Sequence, residues 1–340
     1  MVAATLDLAT LRANARAWRA HAGVPLRAVV KSDGYGWGIG DVVRALDDDV
    51  DGYCVIDLDE FESVRAVSGR PVAILGSVPA ERVASTLSAG GIPNLTDLDA
   101  VAAADSWARS NDRRARVRLG LRGAMAWSGI DPDQIGPFAS RLAGAELDLE
   151  CWTHLTDPSL FALQRDTFAR AVAGLRAAGV AVVATDIDAT AALASGVSAG
   201  VATVRVGVGL FGARGLVPIP GVACALRLRA AVVRTARSAG QLVGYGASHA
   251  PRGGTLLVVR CGYGDGFPRA VDPELGILFV GMQYSVLHRT APAPEATIEL
   301  LTAQSDLDAL ATAARIATHE VVLRLGHAAR GDVRMESANV

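Results

Sequence analysis

The sequence predicts an α/β protein, a TIM-type (β/α)8 barrel followed by a second, mainly antiparallel β-domain. Three observations lead there. Short apolar runs alternate with segments of helical spacing throughout 6–206, which implies parallel strands joined by right-handed crossovers. No GxGxxG follows the first apolar run, which favours closure into a barrel over an open doubly wound sheet. After Gly212 the rhythm changes to strands joined by Gly, Pro and Asp turns.

Leu8, Leu11, Ala15 and Trp18 fall at helical spacing, so 6–21 reads as a helix, and 25–30 as a buried strand running into Gly34, Gly36 and Gly38. Further strands are expected at 52–56, 72–75, 92–95, 115–119, 147–152, 180–185 and 203–206. Helices are expected between them at 42–46, 58–67, 80–89, 98–109, 135–142 and 160–178. Beyond the GLVPIPG linker, strands are expected at 222–235, 254–262, 276–280, 283–288, 296–300 and 320–325, with only 306–316 helical. The domains then divide as 6–218 and 219–340, with residues 1–5 a candidate addition to the second.

Composition narrows the function classes. At 340 residues and 51% apolar, the chain can bury a large core, and a net charge of −2 without a basic tail argues against nucleic acid as a partner. Cys54, Cys151, Cys224 and Cys261 form no CxxC pair and read as buried thiols in a reducing compartment, neither a metal site nor a disulfide framework. The first residues lack the basic and apolar pattern of an export signal, and no apolar run has membrane-spanning character. A cytoplasmic protein without membrane contact is expected.

Barrel chemistry gathers at the C-terminal ends of strands, and there the sequence places Lys31, His154, Asp186, Asp188 and Arg205. Lys31 closes an apolar run in AVVKSDGYGWG, where a dry pocket can hold an amine while the glycine turn lets backbone approach a ligand. Taken alone, the same lysine also fits a strand cap with its amine in solvent, and His154 also fits a hydrogen-bonded structural histidine. Arg205 precedes Gly207 and Gly209, whose exposed backbone N–H groups suit a phosphate. In the second domain CGYGDGFPR sets Tyr263 in a tight turn that does not itself require a tyrosine.

Three of these motifs, AVVKSDGYGWG, RVGVGLFG and GYGDGFPR, together resemble the alanine racemase family, and the likeness runs from Leu6 to about Arg334. The resemblance implies pyridoxal 5'-phosphate as cofactor, a homodimer with shared sites and a small amino-acid substrate. It implies that Lys31 joins the cofactor through an imine and that Tyr35, Thr190, Gly207, Val208 and His319 hold the phosphate. Arg205 would face the pyridine nitrogen, and His154 would lie near the ring. The catalytic pair would be Lys31 and Tyr263, one on each face of the substrate, with Tyr263 supplied across the dimer.

Several positions depart from that pattern. Trp127 stands where the family places an arginine, and Arg118 or Arg122 is a candidate replacement. Asp186 and Asp188, in TDIDATAA, are expected to turn outward or cap a helix, because a carboxylate beside a phosphate repels it. Met282, Ser285 and Val286 replace the family's arginine, methionine and aspartate, leaving Trp127, Tyr284 and Ser285 as candidate pocket residues. His319 stands in place of a tyrosine. The expected function is an amino-acid racemase or epimerase whose substrate need not be alanine. The alternatives are a pyridoxal-phosphate decarboxylase, aldolase or other carbanion enzyme, and a noncatalytic binding protein.

Overall fold

The computed structural model describes residues 2–122, 129–131, 134–155, 158–187, 190–196, 201–215, 217–245, 248–290 and 296–329. Strand β1 (Ala3–Leu6) is followed by α1 (Leu8–Ala22), whose first turn is capped by Asp7, its carboxylate accepting the Thr10 N–H at 2.9 Å. Then come β2 (Leu26–Val29), α2 (Lys31–Tyr35), α3 (Ile39–Leu46), β3 (Gly52–Val55), α4 (Leu58–Arg65), β4 (Val72–Ser77) and α5 (Ala80–Ser88). The alternation continues through β5 (Gly91–Asn94), α6 (Leu98–Ser110), β6 (Ala115–Gly120), α7 (Ile135–Leu142) and β7 (Leu147–Trp152). It ends with α8 (Phe161–Ala177), β8 (Val182–Asp186), α9 (Thr190–Ala194) and β9 (Val204–Val206).

These strands form one eight-stranded parallel sheet in the order β8-β7-β6-β5-β4-β3-β2-β9. Its two ends meet where the Ala202 N–H donates to the Thr185 carbonyl at 3.1 Å, so the barrel is nearly closed. The longer helices cross over the outside and bury one apolar face, as Leu11, Ala15 and Trp18 do on α1 and Val42, Val43 and Leu46 on α3. Each such leucine or valine contributes about 2 kcal/mol by leaving water.

The second sheet is antiparallel. It contains β10 (Leu226–Ala239), β13 (Arg252–Arg260), β14 (Ile277–Val280), β15 (Ser285–Arg289) and β16 (Thr297–Leu301), while β11 (Leu242–Val243) and β12 (Ser248–His249) form a separate hairpin. β1 joins it, pairing with β10 from Ala3 opposite Arg229 to Leu6 opposite Leu226. Helices α10 (Leu307–Ala314) and α11 (Thr318–Ala329) follow.

The expected strand at 320–325 is therefore a helix. The pair Val321-Val322 favours a strand locally, but Val321, Val322, Leu325 and Ala329 form one buried helical face, and Glu320 pairs with Arg324 one turn on at 2.5 Å. That face packs on α2, where a Cβ built on Gly326 would lie 2.7 Å from the Gly36 carbonyl carbon. The Trp37 indole N–H donates to the Val322 carbonyl at 3.2 Å in the same contact.

Candidate functional site

A cavity of about 440 Å³ opens at the C-terminal ends of the barrel strands. Lys31 enters it just beyond β2, Trp152 and His154 from the end of β7, Thr190 from the first turn of α9, and Arg205, Gly207 and Val208 from β9 and the turn after it. Tyr35 lines it from the end of α2 and His319 from the first turn of α11. All eight residues assigned to the cofactor from the motifs thus share one cavity. Apolar walls come from Val29, Ile56 and Leu75.

The backbone after Lys31 is unusual. Ser32, Asp33, Gly34 and Tyr35 all have positive φ, at 53°, 53°, 63° and 56°, so α2 is a left-handed turn. Its three non-glycine residues each cost about 1–2 kcal/mol in that conformation. Compensating bonds surround them. Gly34 donates to the Val30 carbonyl at 2.8 Å, Asp33 caps the N–H of Ile39 at 2.8 Å, and the Glu60 carboxylate accepts from Ser32 and Asp33. The turn brings the buried Tyr35 ring back beneath Gly207, where a Cβ would lie 2.1 Å from the tyrosine hydroxyl. Glycine is needed there for space.

Beneath the cavity the barrel is filled by charge. Glu150 forms a two-point ion pair with Arg27 at 2.6 and 2.9 Å, and Asp186 bridges Arg118 at 2.8 Å and Arg205 at 2.7 Å. All five side chains are buried. Removing one partner of such a network costs about 3–5 kcal/mol, because the remaining charge is stranded away from water. Arg205 also donates to the Thr153 carbonyl at 2.7 Å, so its guanidinium is fixed from two sides. Trp152 lies against both arginines, 4.9 Å from Arg205 and 5.2 Å from Arg118, and its indole N–H donates to Asn94 at 3.0 Å.

This placement corrects the expectation for Asp186, which turns into the barrel because two arginines there meet its charge. Arg118 is committed to that pair, whereas Arg122 meets Asp131 at 2.9 Å near the surface. Trp127 and Asp188 lie outside the described residues.

The electrostatics of the cavity are one-sided. Lys31, Arg205, His154 and His319 line it, and among the described lining residues there is no carboxylate. Burial, then the charge of Arg205, hold the Lys31 amine below its ordinary pKa, with Glu60 pulling the other way. Burial, then the charge of Lys31, likewise lower His319. Burial raises the Tyr35 phenol, which stays protonated. The residues fit a phosphate-bearing, carbonyl-reactive group, offering one amine of reduced basicity, a phenol, a hydroxyl, a fixed guanidinium and the backbone N–H groups of Gly207 and Val208, with Gly207 making room for the Tyr35 hydroxyl.

Tyr263, Tyr284 and Ser285 are not among the residues lining this cavity. Tyr263 sits in a short 3-10 turn after β13, 40% exposed, with the Arg269 guanidinium 5.4 Å from its ring centre. Tyr284 is exposed beside Arg260, while Ser285 is buried and donates to the Cys261 carbonyl at 2.7 Å. Trp152, Asn94 and Glu60 were not singled out from the sequence. One available signal was a charge inside each of several short apolar strands, Arg27, Arg118, Glu150, Asp186 and Arg205, which only a polar barrel interior accommodates. Another was that Lys31 is the only lysine among the 340 residues.

The fold and this cavity together define a barrel protein built to hold an anionic small molecule against a single amine. Residues 6–215 match the family model described as alanine racemase, N-terminal domain, and the chain belongs to the alanine racemase family. Members of that family are pyridoxal-phosphate-dependent isomerases. An alanine racemase of Halorhodospira halophila is 33% identical over 84% of this chain and 81% of its own length. The biosynthetic alanine racemase of Pseudomonas aeruginosa superposes with a TM-score of 0.76 at 25% identity, covering 95% of this chain and 96% of that one. The alanine racemase of Bartonella henselae, solved with covalently bound pyridoxal phosphate, superposes at 0.75 with 21% identity, covering 96% and 98%.

Proposed function

We propose that this chain is a pyridoxal-phosphate-dependent amino-acid racemase or epimerase, acting as a homodimer on a small amino acid that need not be alanine. The observation that carries the reading is the convergence of Lys31, Tyr35, Thr190, Arg205, Gly207, Val208 and His319 on one cavity whose described lining residues include no carboxylate. Tyr35, Thr190, His319 and the backbone N–H groups of Gly207 and Val208 would hold the phosphate, with Arg205 at the ring nitrogen and His154 beside the ring. When bound, pyridoxal phosphate withdraws electrons from the Cα–H bond of an amino acid.

Lys31 would hold the cofactor covalently, and its amine, when free, would take or return the proton on one face of Cα. Arg205 is already charged and held by Asp186, so a pyridine nitrogen set against it would stay unprotonated, which would favour quick return of the proton to Cα. The opposite face needs a second acid, for which the reading assigns the partner subunit's Tyr263. An exposed tyrosine beside exposed Met282 and Tyr284, outside the cavity of its own chain, supports that assignment. Four free buried cysteines support a reducing, cytoplasmic setting.

An amino-acid panel in D₂O, with chiral analysis and mass spectrometry of the products, tests the reaction. Inverted product carrying deuterium at Cα is expected. Release of CO₂ or an aldehyde would replace this reading with a decarboxylase or aldolase, and firm cofactor binding without exchange would replace it with a binding protein. Borohydride treatment should fix the cofactor on Lys31, and Lys31→Ala should abolish that label.

A further inference from the structure

Glu60 belongs to α4, yet one of its carboxylate oxygens is bonded to the turn that follows Lys31. One carboxylate oxygen accepts from the backbone N–H of Ser32 and, at 3.4 Å, from that of Asp33; the other accepts from Ile56 at 2.9 Å. Ser32 and Asp33 are the first two residues of the left-handed turn that follows the lysine, so this carboxylate stands where the backbone conformation is least favourable. Its neighbour on the same helix, Glu62, points to solvent and pairs with Arg82 at 3.1 Å.

We infer that Glu60 is a positioning residue for Lys31: its carboxylate clamps the left-handed turn that directs the amine into the cavity and offsets the positive field of Arg205. The inference rests on the reading of Lys31 as the functional amine. Arg205 faces that amine from β9, Glu60 from α4, His154 from the end of β7, His319 from α11 and Tyr35 from its own turn; Asp57 is the further charge beside Glu60. Of these, Glu60 is the carboxylate that raises the basicity of Lys31, opposing burial and Arg205. Burial holds Glu60 above its ordinary value, with the N–H groups of Ile56 and Ser32 and the charge of Lys31 drawing it back.

Because the chain has one lysine, an amine reagent reads this site directly. The full-length protein, cleared of cofactor with hydroxylamine, is labelled with trinitrobenzenesulfonate from pH 6 to pH 11, and the peptide carrying Lys31 is quantified by mass spectrometry. Glu60→Gln should lower the labelling midpoint by about one unit, and Glu62→Gln should leave it unchanged. Hydrogen exchange over residues 29–37 should speed up in Glu60→Ala, which loses the clamp, and less in Glu60→Gln, which keeps one acceptor oxygen. Coincident midpoints for wild type and Glu60→Gln would overturn the inference, as would unchanged exchange in Glu60→Ala. Should Glu60→Ala fail to fold, the Glu60→Gln midpoint decides alone. Borohydride labelling of the untreated wild type separates the two readings: a cofactor on Lys31 with no Glu60 effect sinks only the clamp, and a Glu60 effect without a cofactor sinks only the proposed function.

Discussion

At Gly207 the absence of one carbon atom makes room for the Tyr35 hydroxyl. Gly207→Ala should destabilise the protein by about 1–3 kcal/mol through overpacking, and it should weaken pyridoxal phosphate binding as well. Adding Tyr35→Phe removes the clashing oxygen and leaves the next neighbours at 3.2 and 3.3 Å. Thermal melts of the single and double variants check this, since the double should melt above Gly207→Ala while still binding the cofactor weakly. His319 titrates below its ordinary value of 6.5, so in the folded protein it is neutral at pH 7. A depressed histidine contributes stability that is present above 6.5 and lost as pH falls through its folded value. The cofactor-free protein should therefore lose stability on acidification below 6.5, and His319→Gln should lessen that loss. Phosphate should respond in the opposite sense, because protonated His319 adds a cation, so cofactor affinity measured by fluorescence titration should rise there in wild type and stay flat in His319→Gln.

Among the elements, α11 carries His319 to the cavity and locks the left-handed turn, and both tasks depend on glycine meeting glycine. Gly326→Ala places a methyl group 2.7 Å from the Gly36 backbone, which should lower the melting temperature by several degrees and weaken cofactor retention measured by dialysis. This helix was also the element hardest to read in the sequence. Two adjacent β-branched residues suggest a strand, and only its docking against Gly36 reveals the helical face. Lys31, His154, Arg205 and Gly207 were legible for the opposite reason, since each lies at or just beyond the end of a short apolar strand where a barrel exposes its chemistry. Glu60 and Asn94 were not legible, because nothing local distinguishes them from a helix-surface carboxylate and a strand-end asparagine. Their partners, Ser32 for one and the Trp152 indole for the other, lie 28 and 58 positions away. Asp186 misled for a related reason, its two arginines arriving from β6 and β9.

For the whole molecule, alternating strands and helices made the barrel legible, while the source of Tyr263 depends on assembly. If the proposed homodimer shares its sites, inactive Lys31→Ala and inactive Tyr263→Phe chains should complement on mixing. Random exchange leaves half of the dimers mixed, each with one intact site, so about a quarter of wild-type activity should return. Activity assays after denaturation and joint refolding would check it, and no recovery would place both residues in one chain's own site. The pairing of β1 with β10 carries a different consequence, for synthesis. Ala3–Leu6 leave the ribosome before any strand of the barrel, yet their partners at Leu226–Arg229 emerge only after every strand of it. A nascent chain can complete the barrel while β1 still hangs unpaired, an open edge available to chaperones or to neighbouring chains until the second sheet is translated.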